Sequence, residues 1–124
     1  MTARGRRPIV VLATAVTAAL ALTSCSGSGQ GLARQACAHV DRSLQLYQRS
    51  QDAPTKAQAA ADYAAAVGQL SLAQPDAALA ASQDGQWQAL MTTISESPRV
   101  PMNLLVHALT VQCAATSSPG GAGA

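Results

Sequence analysis

Leu32-Ala33-Arg34-Gln35-Ala36-Cys37-Ala38-His39-Val40-Asp41-Arg42-Ser43-Leu44-Gln45-Leu46-Tyr47 is the stretch whose reading decides the fold. Leu32, Ala36, Cys37, Val40, Leu44 and Tyr47 recur in steps of three and four. At about 100° per residue they share one stripe, with Arg34, Asp41 and Arg49 on other sides. The period predicts an amphipathic helix that must bury this stripe against other helices. A second seam, Leu32, His39 and Leu46, runs at heptad spacing on a different side, where it would either meet another helix or remain as a partner surface.

Downstream the same period returns three more times. Asp52 and Pro54 end the first helix, and Thr55 with Gln58 has the spacing of a capping box, each side chain able to satisfy a backbone amide at a helix start. The second helix is expected to run to about Leu72, with Ala60, Tyr63, Ala64, Val67 and Leu70 inward and many alanines allowing close approach. Pro75 suits the first turn of a third helix, where its missing amide costs nothing, and Asp76 beside it suits the helix dipole. Leu79, Trp87, Leu90, Met91 and Ile94 would form its apolar side, interrupted at Asp84-Gly85 by a kink or by the meeting of two short helices. Ser97, Pro98 and Pro101 mark the turn into a fourth helix. There Met102, Leu105, Val106, Leu109 and Cys113 line one side, Leu104, Ala108 and Val111 widen it, and Asn103, His107 and Thr110 face away.

The 124 residues leave room for one small domain. Aromatics are 2% with no Phe, and the hydrophobic 48% is mostly Ala, which favours helix but fills little core volume. These proportions argue against a large core and a strand-rich fold. The expected fold is all-α: a small four-helix, bundle-like domain over residues 32–116, its third helix broken or kinked at Asp84-Gly85.

At the N-terminus, three arginines, Arg4, Arg6 and Arg7, precede an apolar run from Ile9 to Leu22 and then small residues before a cysteine, the order of a secretion signal. Fourteen residues rise about 21 Å as a helix, short of a bilayer's hydrocarbon core of roughly 30 Å. Leu22-Thr23-Ser24-Cys25 resembles the lipobox of bacterial lipoproteins. That resemblance implies that Cys25 receives a diacylglyceryl group, that residues 1–24 are removed, and that the new amine is open to acylation as well. Two or three acyl chains hold a protein stably at a membrane where one does so only marginally. Arg6-Arg7-Pro8-Ile9-Val10 also resembles a twin-arginine export signal, so the route, Sec or twin-arginine, stays open. Residues 25–31 read as the lipidated cysteine and a flexible tether, and residues 117–124, rich in Gly, Ser and Pro, as a disordered tail.

With Cys25 given to lipid, Cys37 and Cys113 remain, near the start of the first helix and the end of the last. Each lies on an apolar stripe, and the chain is bound for a compartment that permits disulfides. The expectation is one disulfide closing the domain, the alternative two buried free thiols. In the chain-entropy picture the enclosed loop, 113 − 37 = 76 residues, contributes up to about 4.5 kcal/mol. A zinc site built from Cys37, His39, His107 and Cys113 fails on geometry, because residues two or six apart on a helix point roughly 200–240° apart. No metal and no cofactor is expected.

The titratable residues left for catalysis are His39, His107, Asp41, Asp52, Asp62, Asp76, Asp84 and Glu96, and they form no recognisable constellation. No catalytic residue is assigned, and the chain is not expected to be an enzyme. Without the leader the charge is five basic against six acidic residues, a net −1. With no basic run interleaved with aromatics, nucleic acid is not an expected partner. Gln45, Gln48, Gln51, Gln69, Gln83, Gln86 and Gln88 give solubility without charge, and Trp87 reads as core filler.

The dominance of Ala, Arg over Lys by seven to one, and Gln over Asn is similar to proteins of high-GC bacteria. With the lipobox, and with Ala36-Cys37, Gln86-Trp87-Gln88-Ala89-Leu90 and Gln112-Cys113, the chain resembles the small lipoproteins of actinobacteria. The resemblance implies a lipid-anchored protein on the extracytoplasmic face of the cell membrane, held there through Cys25. The function expected is a non-catalytic module binding an envelope protein or wall component. The alternative is a carrier or sensor of a small apolar ligand between Ala-lined helices.

Overall fold

The structure is a computed structural model that describes residues 28–117. Its helices are α1 (Ser28–Asp52), α2 (Lys56–Gln83), α3 (Gln88–Ser95) and α4 (Met102–Ala114), with single 3-10 turns at Gly85–Trp87 and Ala115–Ser117. The expected all-α domain with four helices and one disulfide is what these residues form, with no strand among them. Helix α1 begins at Ser28, inside the segment expected to be a flexible tether over 25–31.

α1 and α2 make the most extensive interface in the domain, an antiparallel hairpin. Along α1 the residues facing α2 are Gly29, Ala33, Ala36, Val40, Ser43, Tyr47 and Ser50, all buried except half-buried Tyr47. Along α2 they are Ala66, Leu70, Ala73, Ala77 and Ala80, all without exposed surface. Both rows advance by alternating steps of four and three, the repeat of a coiled-coil seam. Nearly all of these side chains are small, so the backbones come close. The Ser43 hydroxyl reaches the Ala66 carbonyl at 2.6 Å, and a Cβ built on Gly29 would stand 3.6 Å from the Ala80 carbonyl oxygen.

This register corrects the expected inner face of the second helix. Leu70 is buried, Val67 is half-buried and Tyr63, though 36% exposed, sets its ring against Tyr47 of α1, as expected, but Ala60 and Ala64 lie on the exposed side. Alanines surround α2 on every side, so its apolar pattern has no unique phase, and the phase is set by the heptad on α1.

A second correction concerns Pro75, which starts no helix and sits inside α2. Proline there removes one backbone donor and crowds the carbonyl four residues before it, at Ser71. Pro75 and Ser71 are both exposed, so water can serve the orphaned carbonyl, while buried Ala73 and Ala77 on either side keep the helix on its seam. Asp76 is therefore mid-helix rather than in a first turn, and Leu79, expected to face inward, is 52% exposed.

The break at Asp84-Gly85 is present. Asp84 closes α2 through its N–H to the Ala80 carbonyl and opens the 3-10 turn by accepting from the Gln86 amide. The short turn swings Trp87, Leu90 and Ile94 into the core beside Met102, Leu105, Leu109 and Cys113 of α4. Asn103, His107 and Thr110 face outward as expected, but Leu104 and Val111 are 66% and 56% exposed and do not widen the buried side.

Candidate functional site

The hairpin has two flanks, and the site residues expected from sequence divide between them. On one flank α1 meets α4 through the disulfide between Cys37 and Cys113, whose Cα atoms are 5.5 Å apart. Below it the Arg34 Nε donates to the Thr116 carbonyl at 3.0 Å and the Gln30 amide to the same oxygen at 3.5 Å. Thr116 is itself buried and donates back to the Cys113 carbonyl. Bond and clamp together pin the end of α4 to the first three turns of α1. Cys25, the expected lipidation residue, lies outside the described residues, as do residues 1–24 and 118–124.

Farther along the same flank, the Ser97–Pro101 connection crosses α2 and leaves an open recess of about 370 Å³ lined by Tyr63, Val67, Pro98, Arg99, Val100 and Pro101. Pro101 precedes α4 and offers no side-chain cap, so the α4 amides need an acceptor from elsewhere. Tyr63 supplies it: its hydroxyl accepts from the Met102 amide at 3.2 Å, while its ring meets Tyr47 edge-on at 6.1 Å. Glu96 pairs with Arg99 at 2.8 Å on the rim. The recess is thus bordered by two prolines, the Tyr63 ring and the Glu96–Arg99 pair. Sequence reading missed it because its residues come from two segments that no local period connects.

The opposite flank carries the second seam. Leu32, His39 and Leu46 are all half-buried. Leu32 packs on the core, and the His39 Nδ1 shares a 2.9 Å hydrogen bond with the Gln69 Oε1 of α2. His39 is thereby engaged with a neutral amide, and His107 is on the exposed side of α4. Arg49 stands 3.9 Å from Asp62, Asp52 accepts from Gln48, and Asp84 caps two elements. Trp87 is 3% exposed within the core, and its indole Nε1 has no hydrogen-bond partner among the described residues. No three His, Cys, Asp or Glu side chains gather to hold a metal among the described residues. No described helix is long and apolar enough to cross a membrane. The Ala-lined space between α1 and α2 is closed by direct helix contact.

No family model matches the chain, and no curated protein and no solved structure matches it.

Proposed function

We propose that the chain is a bacterial envelope lipoprotein, anchored through Cys25 on the extracytoplasmic face of the cell membrane, whose helical domain is a non-catalytic module for an envelope protein or wall component. The observation that carries this reading is the division of the three cysteines. Cys37 and Cys113 are spent on each other, which leaves Cys25, at the end of the lipobox-like Leu22-Thr23-Ser24-Cys25, three residues ahead of the first helical residue, Ser28.

Three residues span at most about 10 Å, so a lipid on Cys25 would hold the α1 N-terminus, the Asp84 corner and the Thr116 end close to the headgroups. Tyr47 lies 19 residues beyond Ser28 on α1, so it and the recess beside Tyr63 would stand roughly 28 Å above that end. A surface at that height is turned toward soluble or wall-borne partners and away from the lipid.

The test is the intact mass of the protein taken gently from its native membrane, with and without reductant. The expected species begins at Cys25, carries two or three acyl chains, gains two hydrogens on reduction, and retains a macromolecular partner. A mass without acyl groups overturns the anchor. A small apolar adduct in place of a macromolecular partner overturns the module reading in favour of a carrier.

A further inference from the structure

A protease that cuts after a basic residue needs that side chain exposed, and it needs the residues on either side of the bond to lie extended in its cleft. A helix denies the second requirement until it opens, so cuts in a folded protein fall in exposed connections. The basic residues among the described ones are Arg34, Arg42, Arg49, Lys56 and Arg99. Arg34, Arg42 and Arg49 lie inside α1, and Lys56 is the first residue of α2. Arg99 stands in the connection between α3 and α4, with its side chain 73% exposed.

That connection is fixed to the domain at its two ends, by buried Ser97 and by the Met102 amide on the Tyr63 hydroxyl. Between them the holds are local. Pro98 and Pro101 are exposed and have no amide hydrogen to donate. The Arg99 and Val100 amides both donate to the Glu96 carbonyl, at 2.9 and 2.8 Å, within a single turn. The Arg99 guanidinium pairs with Glu96 three residues back, in water, where an ion pair costs little to break. Straightening the segment around Arg99 therefore asks for the loss of turn bonds rather than of a helix.

We propose that the Arg99–Val100 bond is a cleavage site, at which a serine protease of arginine specificity opens the folded domain. Water adds across that amide: Arg99 keeps the carbonyl carbon as a carboxylate, and Val100 leaves as a free amine. Neither residue of the bond is a proline. Position 99 falls between Cys37 and Cys113, so the disulfide holds the two products together, while the Thr116 clamp keeps the end of α4 on α1. The product is a two-chain protein. The cut also divides the border of the Tyr63 recess, leaving Pro98 and Arg99 on one chain and Val100 and Pro101 on the other. Neither the anchor nor a partner is needed for this cut.

The experiment is limited digestion of the disulfide-bonded full chain with trypsin, followed by intact mass with and without reductant. Arg4, Arg6 and Arg7 precede the domain, so cuts there only trim the N-terminus and are told apart by mass. The first internal cut is expected between Arg99 and Val100. Without reductant the protein should stay whole and heavier by one water; with reductant it should part into a chain ending at Arg99 and one beginning at Val100. Arg99→Gln should slow the first internal cut by about tenfold or more, since each remaining site needs a helix to open, and Arg42→Gln should leave it unchanged. A first internal cut after Arg34, Arg42, Arg49 or Lys56 overturns the proposal. So does an Arg99→Gln chain that is folded by circular dichroism and still cut as fast as the native one. Products that separate without reductant overturn the two-chain form. The position of the first cut in the native chain decides, whether or not the variant folds.

Discussion

The Ser43 hydroxyl donates to the main-chain carbonyl of Ala66 at 2.6 Å, between two residues with no exposed surface. A side chain as short as serine reaches another helix's backbone only where the helices are close, so this bond marks close packing of the hairpin at that level. Ser43→Ala should cost about 1 kcal/mol, the net worth of one buried hydrogen bond. Ser43→Leu should cost more, about 1–3 kcal/mol or beyond, because the added methylenes have nowhere to go. Urea denaturation of both variants measures the difference, and a Leu variant as stable as the Ala variant would mean the helices are farther apart than described.

Removing the Cys37–Cys113 bond should cost about 2–5 kcal/mol, since it closes a separation of 76 residues in a domain with a thin, Ala-rich core. The loss should be uneven. The hairpin seam is independent of the disulfide, whereas α4 is held to α1 by the bond and the neighbouring Thr116 clamp. Under reductant, amide exchange should accelerate in α4 before it does in the α1–α2 seam. Equal acceleration in both would show that the hairpin depends on α4 for its stability.

Pro75→Ala should stabilise the protein. It restores a backbone donor for the Ser71 carbonyl and removes the ring's crowding, worth up to about 3 kcal/mol in a helix interior. A more flexible unfolded chain offsets up to about 1 kcal/mol of that. The expected net is a gain of about 1–3 kcal/mol and a melting temperature higher by several degrees. A fall in melting temperature would mean that α2 does not run continuously through position 75.

How much of this could be read from the sequence depended on whether the signal was local and unambiguous. The α1 stripe, the Thr55 half of the capping box, whose hydroxyl oxygen accepts from the Gln58 amide at 3.2 Å, the Asp84-Gly85 break and the pairing of Cys37 with Cys113 were legible. Each rests on residue types with one strong preference: a spaced apolar set, an N-cap hydroxyl, a mid-helix Gly, and two thiols on apolar stripes. The α2 phase was not legible, because alanine at positions 59, 60, 61, 64, 65 and 66 fits a seam on almost any side. Pro75 misled for a related reason. Its local preference for a helix start was overridden by packing from Ala73 and Ala77, which only the register with α1 reveals. The Tyr63 recess stayed hidden because it joins α2 to a connection more than thirty residues away.

Tyr63→Phe separates the two roles of that residue. The ring, and with it the edge-on contact to Tyr47, is kept, but the acceptor for the Met102 amide is lost. The expected cost is about 1 kcal/mol, together with faster exchange of the Met102 amide and little change in the hairpin. Unchanged exchange at Met102 would show that the phenol is not the cap of α4.

Gly29→Ala tests where α1 begins. If residues 25–31 were a flexible tether, this change would leave folding stability almost untouched. In a helix that starts at Ser28, alanine at position 29 should stabilise by up to about 1 kcal/mol, because glycine is the costlier helical residue. There is room for the methyl group: the added Cβ would meet the Asp84 Cβ at 3.4 Å and the Gln83 Cβ at 3.6 Å, ordinary contact distances. There is no room for a branched chain, so Gly29→Leu should destabilise by forcing α1 away from the Asp84 corner. Thermal melts of the two variants should therefore move in opposite directions. If neither melt moves, the first turn of α1 is not packed on α2.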